Sequence, residues 1–328
     1  MSLEIDGLTM ALPGTARPVL DNVSLSVAPG EIVGLVGESG SGKSTTARAA
    51  LGMVPEAASL HGSVRVDDSS VFDLDDSGLR RLRAERVGMV YQNPRAALNP
   101  VRTVGAYATE QLQRALGVDA AEARSKVVAL FASVGLRDPE QLLRAHPHQL
   151  SGGMLQRVVI ASALAGQPAF LLADEPTSAL DVSTQASIVA LLMSLRREHG
   201  LGMLFITHDL TLASAICDRV CVMYAGRIVE AQPGDHLLVG PRHPYTAGLR
   251  DSTPELLSGR PIRPIEGAPP SLGESVAGCA FAQRCPYVQQ ACRDETPALA
   301  ALPDGAVACR RHEEIDLGDA LKTAGGRA

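Results

Sequence analysis

The 328-residue sequence has no tryptophan, and its five tyrosines and five phenylalanines bring aromatics to only 3%. The arginine run Arg80, Arg81, Arg83 and Arg86 therefore has no aromatic interleaving, and it reads as a solvated helix face rather than a nucleic-acid contact. A formal net charge of -6 likewise excludes binding dominated by attraction to a phosphate backbone. No run approaches the roughly 18 uninterrupted apolar residues of a membrane span. The opening MSLEIDG carries acids where a secretory signal needs a basic start, so a cytoplasmic location is expected. No repeat with a period of about 20 to 50 residues, no low-complexity tract and no heptad array is present. Of 30 lysines and arginines only three are lysines, Lys43, Lys126 and Lys322, so a lysine inside a motif is informative.

What is present is a globular composition, 45% hydrophobic and 20% charged, long enough for one large domain and an extension. Short β segments open the chain at Leu3 to Met10, Val19 to Val27 and Glu31 to Val36. A helix running to Leu51, strands Ser63 to Val66 and Val87 to Tyr91, and a helix Ser77 to Arg86 come next. Apolar spacing of three to four then predicts helices Val101 to Leu116, Ala120 to Val134, Glu140 to Arg144 and Met154 to Ala165, an all-helical insertion. Strands Ala169 to Ala173, Met203 to Thr207, Val220 to Tyr224 and Arg227 to Ala231 alternate with helices Val182 to His199 and Leu210 to Cys217. Such alternation implies an α/β fold with a parallel-containing sheet. Beyond Pro233 the prolines Pro241, Pro244, Pro254, Pro261, Pro264, Pro269 and Pro270 replace periodic runs, which sets an expected boundary between residues 1–232 and 233–328.

Between the third strand and its helix lies Gly37-Glu38-Ser39-Gly40-Ser41-Gly42-Lys43-Ser44-Thr45, a phosphate-binding P-loop. Its glycines let successive N–H groups, aided by the helix dipole, surround phosphate oxygens; Lys43 adds a charge between β- and γ-phosphates and Ser44 a hydroxyl for Mg²⁺. The apolar strand Ala169 to Ala173 ends in two acids. Asp174 sits where a carboxylate can hold the Mg²⁺ water shell, and Glu175 is one residue further out, placed to orient or deprotonate a water. Ser151-Gly152-Gly153 opens another helix and makes a second anion-binding end. One triphosphate needs one such end, so the second implies a partner.

Leu150 to Met154, LSGGM, resembles the signature of ATP-binding cassette (ABC) ATPases, whose motif order this chain follows along roughly residues 3 to 232. The ordered set is the P-loop, Gln92 in YQNP, the signature, Asp174-Glu175, Ser178-Ala-Leu-Asp181, and His208 in ITHD. The resemblance implies a P-loop NTPase cassette with a RecA-like core, an antiparallel β subdomain and a helical subdomain over about 93–165, bound to ATP and Mg²⁺. It further implies a head-to-tail pair in which the Ser151-Gly152-Gly153 end of one cassette covers the γ-phosphate held by the other. Gln92 would couple Mg²⁺ and water to the helical part, His208 would hold the water and Glu175, and Asp181 would communicate across the pair. Cassettes acting on DNA or ribosomes resemble tandem or coiled-coil-split chains, which this is not. A regulatory protein that binds ATP without hydrolysing it is weakened by the intact Lys43, Glu175 and His208.

Gln92 to Pro100, QNPRAALNP, with the LSGGM form, the Tyr224-Ala-Gly-Arg-Ile-Val-Glu stretch and His243-Pro-Tyr-Thr246, resembles the oligopeptide/dipeptide and nickel importer branch. Leu155 departs from the basic residue usual after the signature. The branch implies an ATPase subunit at the cytoplasmic membrane face, two permease subunits, an extracellular binding protein, a related non-identical partner ATPase, and peptide, nickel or another small solute as cargo.

Six cysteines occur, four of them in the tail as Cys279-x5-Cys285-x6-Cys292-x16-Cys309. Four thiolates suit Zn²⁺ or a [4Fe–4S] cluster, and the absence of any CxxC knuckle leans towards iron–sulfur; disulfides and free thiols are the alternatives. In the importer family the similar tail implies a [4Fe–4S] cluster. Cys217 and Cys221 read as small buried hydrophobes, and His146 and His148 as packing residues.

The family commonly stacks adenine on an early aromatic, and Thr9-Met10-Ala11-Leu12 supplies none, so base recognition is expected to be aliphatic and weakly selective. Competition binding should give an ATP-over-GTP preference below about a hundredfold, roughly 2.7 kcal/mol; a larger ratio contradicts aliphatic recognition.

Overall fold

A computed structural model describes residues 1–253 and 262–318; Pro254, Pro261 and Lys322 lie outside the described residues. Strand β1 (Leu3–Ala11) alternates buried and exposed positions, as a half-covered strand must, and pairs antiparallel with β2 (Leu20–Val27). The next strand, β3 (Ile32–Val36), belongs to a different sheet. β4 (Ser59–Val66) and β5 (Ser69–Ser70) complete the antiparallel sheet in the order β2-β1-β4-β5.

The larger sheet has its parallel part in β6 (Val87–Val90), β7 (Phe170–Asp174), β8 (Gly202–Thr207), β3 and β9 (Arg219–Tyr224). Every residue of β3, β7 and β8 is buried, the mark of strands covered on both faces. Leu171 and Ala173 of β7 join the core beneath the helical insertion, whereas Phe170 and Leu172 join the core shared with the antiparallel sheet. The sheet is thus the floor of two apolar layers, one on each face.

In the insertion, Thr103 accepts the Ala106 N–H to start helix Val104–Leu116, and Gly117, at φ 66, ends it. The predicted start at Val101 is early because the capping hydroxyl lies at Thr103; Val101 itself is 80% exposed. Asp119 caps helix Ala120–Ser133 in the same way. Leu112, Val127 and Phe131 from these helices pack with Leu155 and Val158 of helix Gly152–Ala163.

The tail extends this framework. The expected boundary at 232–233 falls inside β10 (Arg227–Pro233), which pairs with β9 on one side. On its other side it pairs with the hairpin β11 (Ala300–Leu302) and β12 (Gly305–Val307), in the register Glu230↔Val307 and Ala231↔Ala306. Tyr245 and Phe281 rest on Tyr224 with ring centroids 4.6 and 5.3 Å away, inside the core of the insertion side. The tail therefore packs on the cassette and, through β11 and β12, continues its sheet. Ending the chain at Pro233 would strip away Tyr245 and Phe281, 0% and 2% exposed, and bare the β10 edge. At about 2 kcal/mol or more per buried aromatic, urea unfolding should show a loss of at least about 4 kcal/mol, and an unchanged midpoint contradicts the shared core.

Candidate nucleotide site

The parallel registers align three strand ends. Val36 of β3 pairs with Thr207 of β8, and Ile206 of β8 pairs with Asp174 of β7. Gly37, His208 and Glu175, each the next residue in its strand's chain direction, consequently emerge on one edge, at the carboxyl ends where open α/β sheets bind ligands.

The loop after β3 turns sharply because its glycines take left-handed conformations, with φ 79 at Gly40 and 111 at Gly42. A Cβ on Gly37 would lie 2.2 Å from the Met223 carbonyl oxygen, so the loop passes tightly beneath the β9 end. No side chain caps helix Lys43–Ala50, which leaves its first N–H groups free for an anion. Lys43 curls back, donating from Nζ to the Gly37 carbonyl at 2.8 Å and the Glu38 carbonyl at 2.9 Å. Burial lowers its pKa, opposed by Glu175, Asp174 and Glu38. Ser39 and Gly40 form the exposed tip, Ser41 and Gly42 are buried, and Thr45 is half-buried on the helix.

Ser44 Oγ donates to Asp174 Oδ1 at 2.8 Å. The Asp174 carboxyl is 2% exposed, and desolvation raises its pKa, with the Ser44 hydrogen bond acting in the opposite direction. Glu175 has a left-handed backbone, φ 46, held by its N–H donating to the Ile206 carbonyl at 3.0 Å, so its side chain leaves the buried strand for the half-open edge. There Gln92 Nε2 donates to Glu175 Oε2 at 2.9 Å, and His208 Nδ1 lies 3.4 Å from the same oxygen. A cation-binding hydroxyl–carboxylate pair, a lysine and a carboxylate flanked by amide and imidazole thus share one edge. Such a set can hold a magnesium triphosphate and direct a water at it.

The signature residues lie elsewhere. Ser151 accepts the Met154 N–H at 3.3 Å and starts helix Gly152–Ala163. Gly153 is required by packing: a Cβ there would meet Thr184 Cγ2 at 2.6 Å. Thr184 follows Asp181, whose carboxylate caps helix Val182–His199 through the Thr184 N–H and the Ser183 and Thr184 hydroxyls; these hydrogen bonds depress its pKa. None of the hydrogen bonds of Ser151 or Asp181 reaches Gly37 to Thr45.

A family model described as ABC transporter matches residues 20–178, and one described as oligopeptide/dipeptide transporter, C-terminal region, matches residues 229–292. A probable peptide ABC transporter ATP-binding protein of Sinorhizobium fredii is 43% identical over 90% of this chain and 90% of its own length. The chain belongs to the ABC transporter ATP-binding subunits. A putative peptide import ATP-binding protein of Brucella abortus is 42% identical, covering 95% of this chain and 98% of its own length. The dimeric ATP-binding cassette MJ0796, solved in a post-hydrolysis state with ADP and phosphate, superposes with a TM-score of 0.62 at 31% identity. That superposition covers 70% of this chain and 98% of MJ0796.

This ABC subunit is an ATPase, and its remaining residues separate into those foreseen and those missed. Cys217 and Cys221 are buried, 6% and 1% exposed, and burial lifts the Cys221 thiol to about 11. His146 and His148 stack on each other at 5.6 Å. The arginine run is less uniformly solvated than expected: Arg83 donates to the Leu51 carbonyl and Arg86 pairs with Asp67. Met10 is 1% exposed and faces the core, so of the expected base-binding stretch Thr9, Ala11 and Leu12, each half-buried, remain accessible. The four tail cysteines line one small cavity walled by His243, Pro244 and Phe281. Missed altogether were Tyr245 and Arg284, which reach Glu38 of the P-loop; His243-Pro-Tyr marked the stretch, but nothing in it names a partner 207 residues away.

Proposed function

We propose that this ABC subunit hydrolyses ATP in a site shared with a second ATPase subunit and thereby energises peptide import across the cytoplasmic membrane. The convergence of Gln92 and His208 on one Glu175 oxygen, beside Lys43 and the Ser44–Asp174 pair, carries this reading. Lys43 exchanges its two carbonyl partners for the β- and γ-phosphates, and the N–H groups of Gly37 to Thr45 surround them. Ser44, Gln92 and, through its water shell, Asp174 would hold Mg²⁺, which would neutralise phosphate charge. Glu175 orients or deprotonates the attacking water, and His208 keeps water and carboxylate in line. Ser151, Gly152 and Gly153 face the γ-phosphate of the partner's site, and Asp181, on the helix packed against them, passes the state of one site to the other.

The Glu175→Gln variant keeps the shape and the contact with Gln92 but loses the base. Turnover should fall by about 10² to 10⁴ while ATP holds the subunits together, read by phosphate release and size-exclusion chromatography with ATP. Wild-type-like hydrolysis removes Glu175 from this role.

Peptide cargo is supported by the relatives' names and by the match of the tail to the oligopeptide/dipeptide C-terminal region. Among the described residues no helix is long and apolar enough to cross a membrane, so we place the subunit peripherally on two permease subunits, with an extracellular binding protein completing the importer. A cleft of about 720 Å³ between the helical insertion and the sheet edge, lined by Arg80, Arg81, Tyr91, Tyr107 and Arg114, is the docking surface for the permease. Tyr91 on its wall directly precedes Gln92, so a permease segment seated there acts on the Gln92–Glu175 contact.

We further propose that Cys279, Cys285, Cys292 and Cys309 hold a [4Fe–4S] cluster, which when bound cross-links the tail. Burial raises the thiol pKa values of Cys279 and Cys309 and lifts Cys285 to about 11, as fits thiols in an apolar enclosure. Among the described residues no three His, Cys, Asp or Glu side chains converge to hold one ion. What supports the reading is that all four cysteines line one cavity. Anaerobically purified protein should carry about four irons per chain and absorb near the visible iron–sulfur band; colourless, iron-free protein sinks the assignment.

A further inference from the structure

We infer that Arg284 and Tyr245 of the tail are positioning residues for ATP, fixing Glu38 and so setting how tightly the P-loop binds nucleotide. All three polar groups of Glu38 are engaged. Its carboxylate receives both arms of Arg284, Nη1 to Oε2 at 2.7 Å and Nη2 to Oε1 at 2.9 Å. Its N–H donates to the Tyr245 hydroxyl at 2.8 Å, and its carbonyl accepts from Lys43 Nζ at 2.9 Å and from the Ser41 N–H at 3.2 Å. Two of the four partners therefore come from the tail, 207 and 246 residues further along the chain.

The clamp is stiff on the tail side. The Arg284 side chain is 5% exposed, against 28% for Glu38. Arg284 also donates from Nε to the Glu266 carbonyl at 3.0 Å, and its guanidinium sits 5.8 Å from the Tyr224 ring centroid and 5.9 Å from that of Phe281. Tyr245 is fully buried. A bidentate arginine–carboxylate pair held this way fixes direction as well as distance.

The loop it grips is the opposite. Gly37, Gly40 and Gly42 all have positive φ, and a glycine-rich loop loses more conformational freedom on ordering than any other. Whatever orders it before ATP arrives removes that cost from binding. Arg284 also neutralises a carboxylate within the phosphate loop itself, where an unpaired negative charge opposes a triphosphate. Both effects act on nucleotide affinity, and neither touches the water or Glu175.

The inference rests on Gly37 to Thr45 being the ATP site, and the test separates the two. With the full-length chain, ATP affinity is measured with a fluorescent ATP analogue and KM and kcat by phosphate release, for wild type, Arg284→Ala, Glu38→Ala, the double variant, Tyr245→Phe and Lys43→Ala. Arg284→Ala should raise Kd and KM about tenfold with kcat at saturating ATP within about twofold, and Tyr245→Phe should raise both by a smaller factor. The double variant should bind no more weakly than Arg284→Ala alone, because the two residues act through one contact. If Arg284→Ala does not fold, Arg284→Lys, which keeps the charge but loses the two-armed pairing, must show the same KM-against-kcat split. A lower melting temperature with unchanged Kd, or additive losses in the double variant, overturns the inference. Wild-type affinity in Lys43→Ala would instead overturn the P-loop assignment itself.

Discussion

The 2.8 Å hydrogen bond from Ser44 Oγ to the Asp174 carboxylate joins the start of the P-loop helix to the end of β7. Asp174 is buried, and burial alone would favour its neutral form; the Ser44 hydroxyl and the Arg48 and Lys43 charges work against that desolvation. The contact exists only because β3, β8 and β7 run parallel in a fixed register, with Val36 opposite Thr207 and Asp174 opposite Ile206. A slip of one residue in β7 would exchange Asp174 with a neighbour on the opposite face and dissolve the site. Full burial of all three strands, with apolar residues of both faces divided between two cores, is what makes such a slip costly.

Around that fixed edge the other parts are arranged by how far they may move. Glu175 leaves the strand through a left-handed residue, and its partners Gln92 and His208 stand at the ends of β6 and β8, exposed to solvent and to whatever docks nearby. The signature glycines sit on the helical insertion against Thr184, so a shift of the insertion carries Ser151 and Asp181 together. On the far side of the loop the tail does the reverse, tying Glu38 down through Arg284 and Tyr245. The edge is held firmly at the P-loop and loosely around Glu175 and the signature, where the proposed function puts hydrolysis and partner contact.

Much of this is legible in the sequence because it is local. A P-loop is nine consecutive residues, Asp174-Glu175 ends an apolar strand, and LSGGM announces a capped helix, so each motif carries its own geometry and the cassette family supplies their assembly. Periodicity placed the insertion's helices to within a few residues, with the error at Val101 traceable to the Thr103 cap. The tail resisted the same treatment. Its prolines interrupt periodicity, β11 and β12 are three residues each, and its decisive contacts join Tyr224 to Phe281 and Glu38 to Arg284, pairs that no local pattern can match. Met10 shows the converse limit: the lack of an aromatic was visible, but not that this side chain points into the core.

In the proposed function the P-loop is completed by another chain's signature, which would make hydrolysis a property of the pair. The most direct measurement is specific ATPase activity against chain concentration, alone and with the related ATPase subunit added. Activity per chain should rise and saturate with the concentration of whichever chain supplies the second signature, a further copy or the related subunit. Activity per chain that stays constant from high dilution upwards, with or without the second subunit, would contradict a shared site.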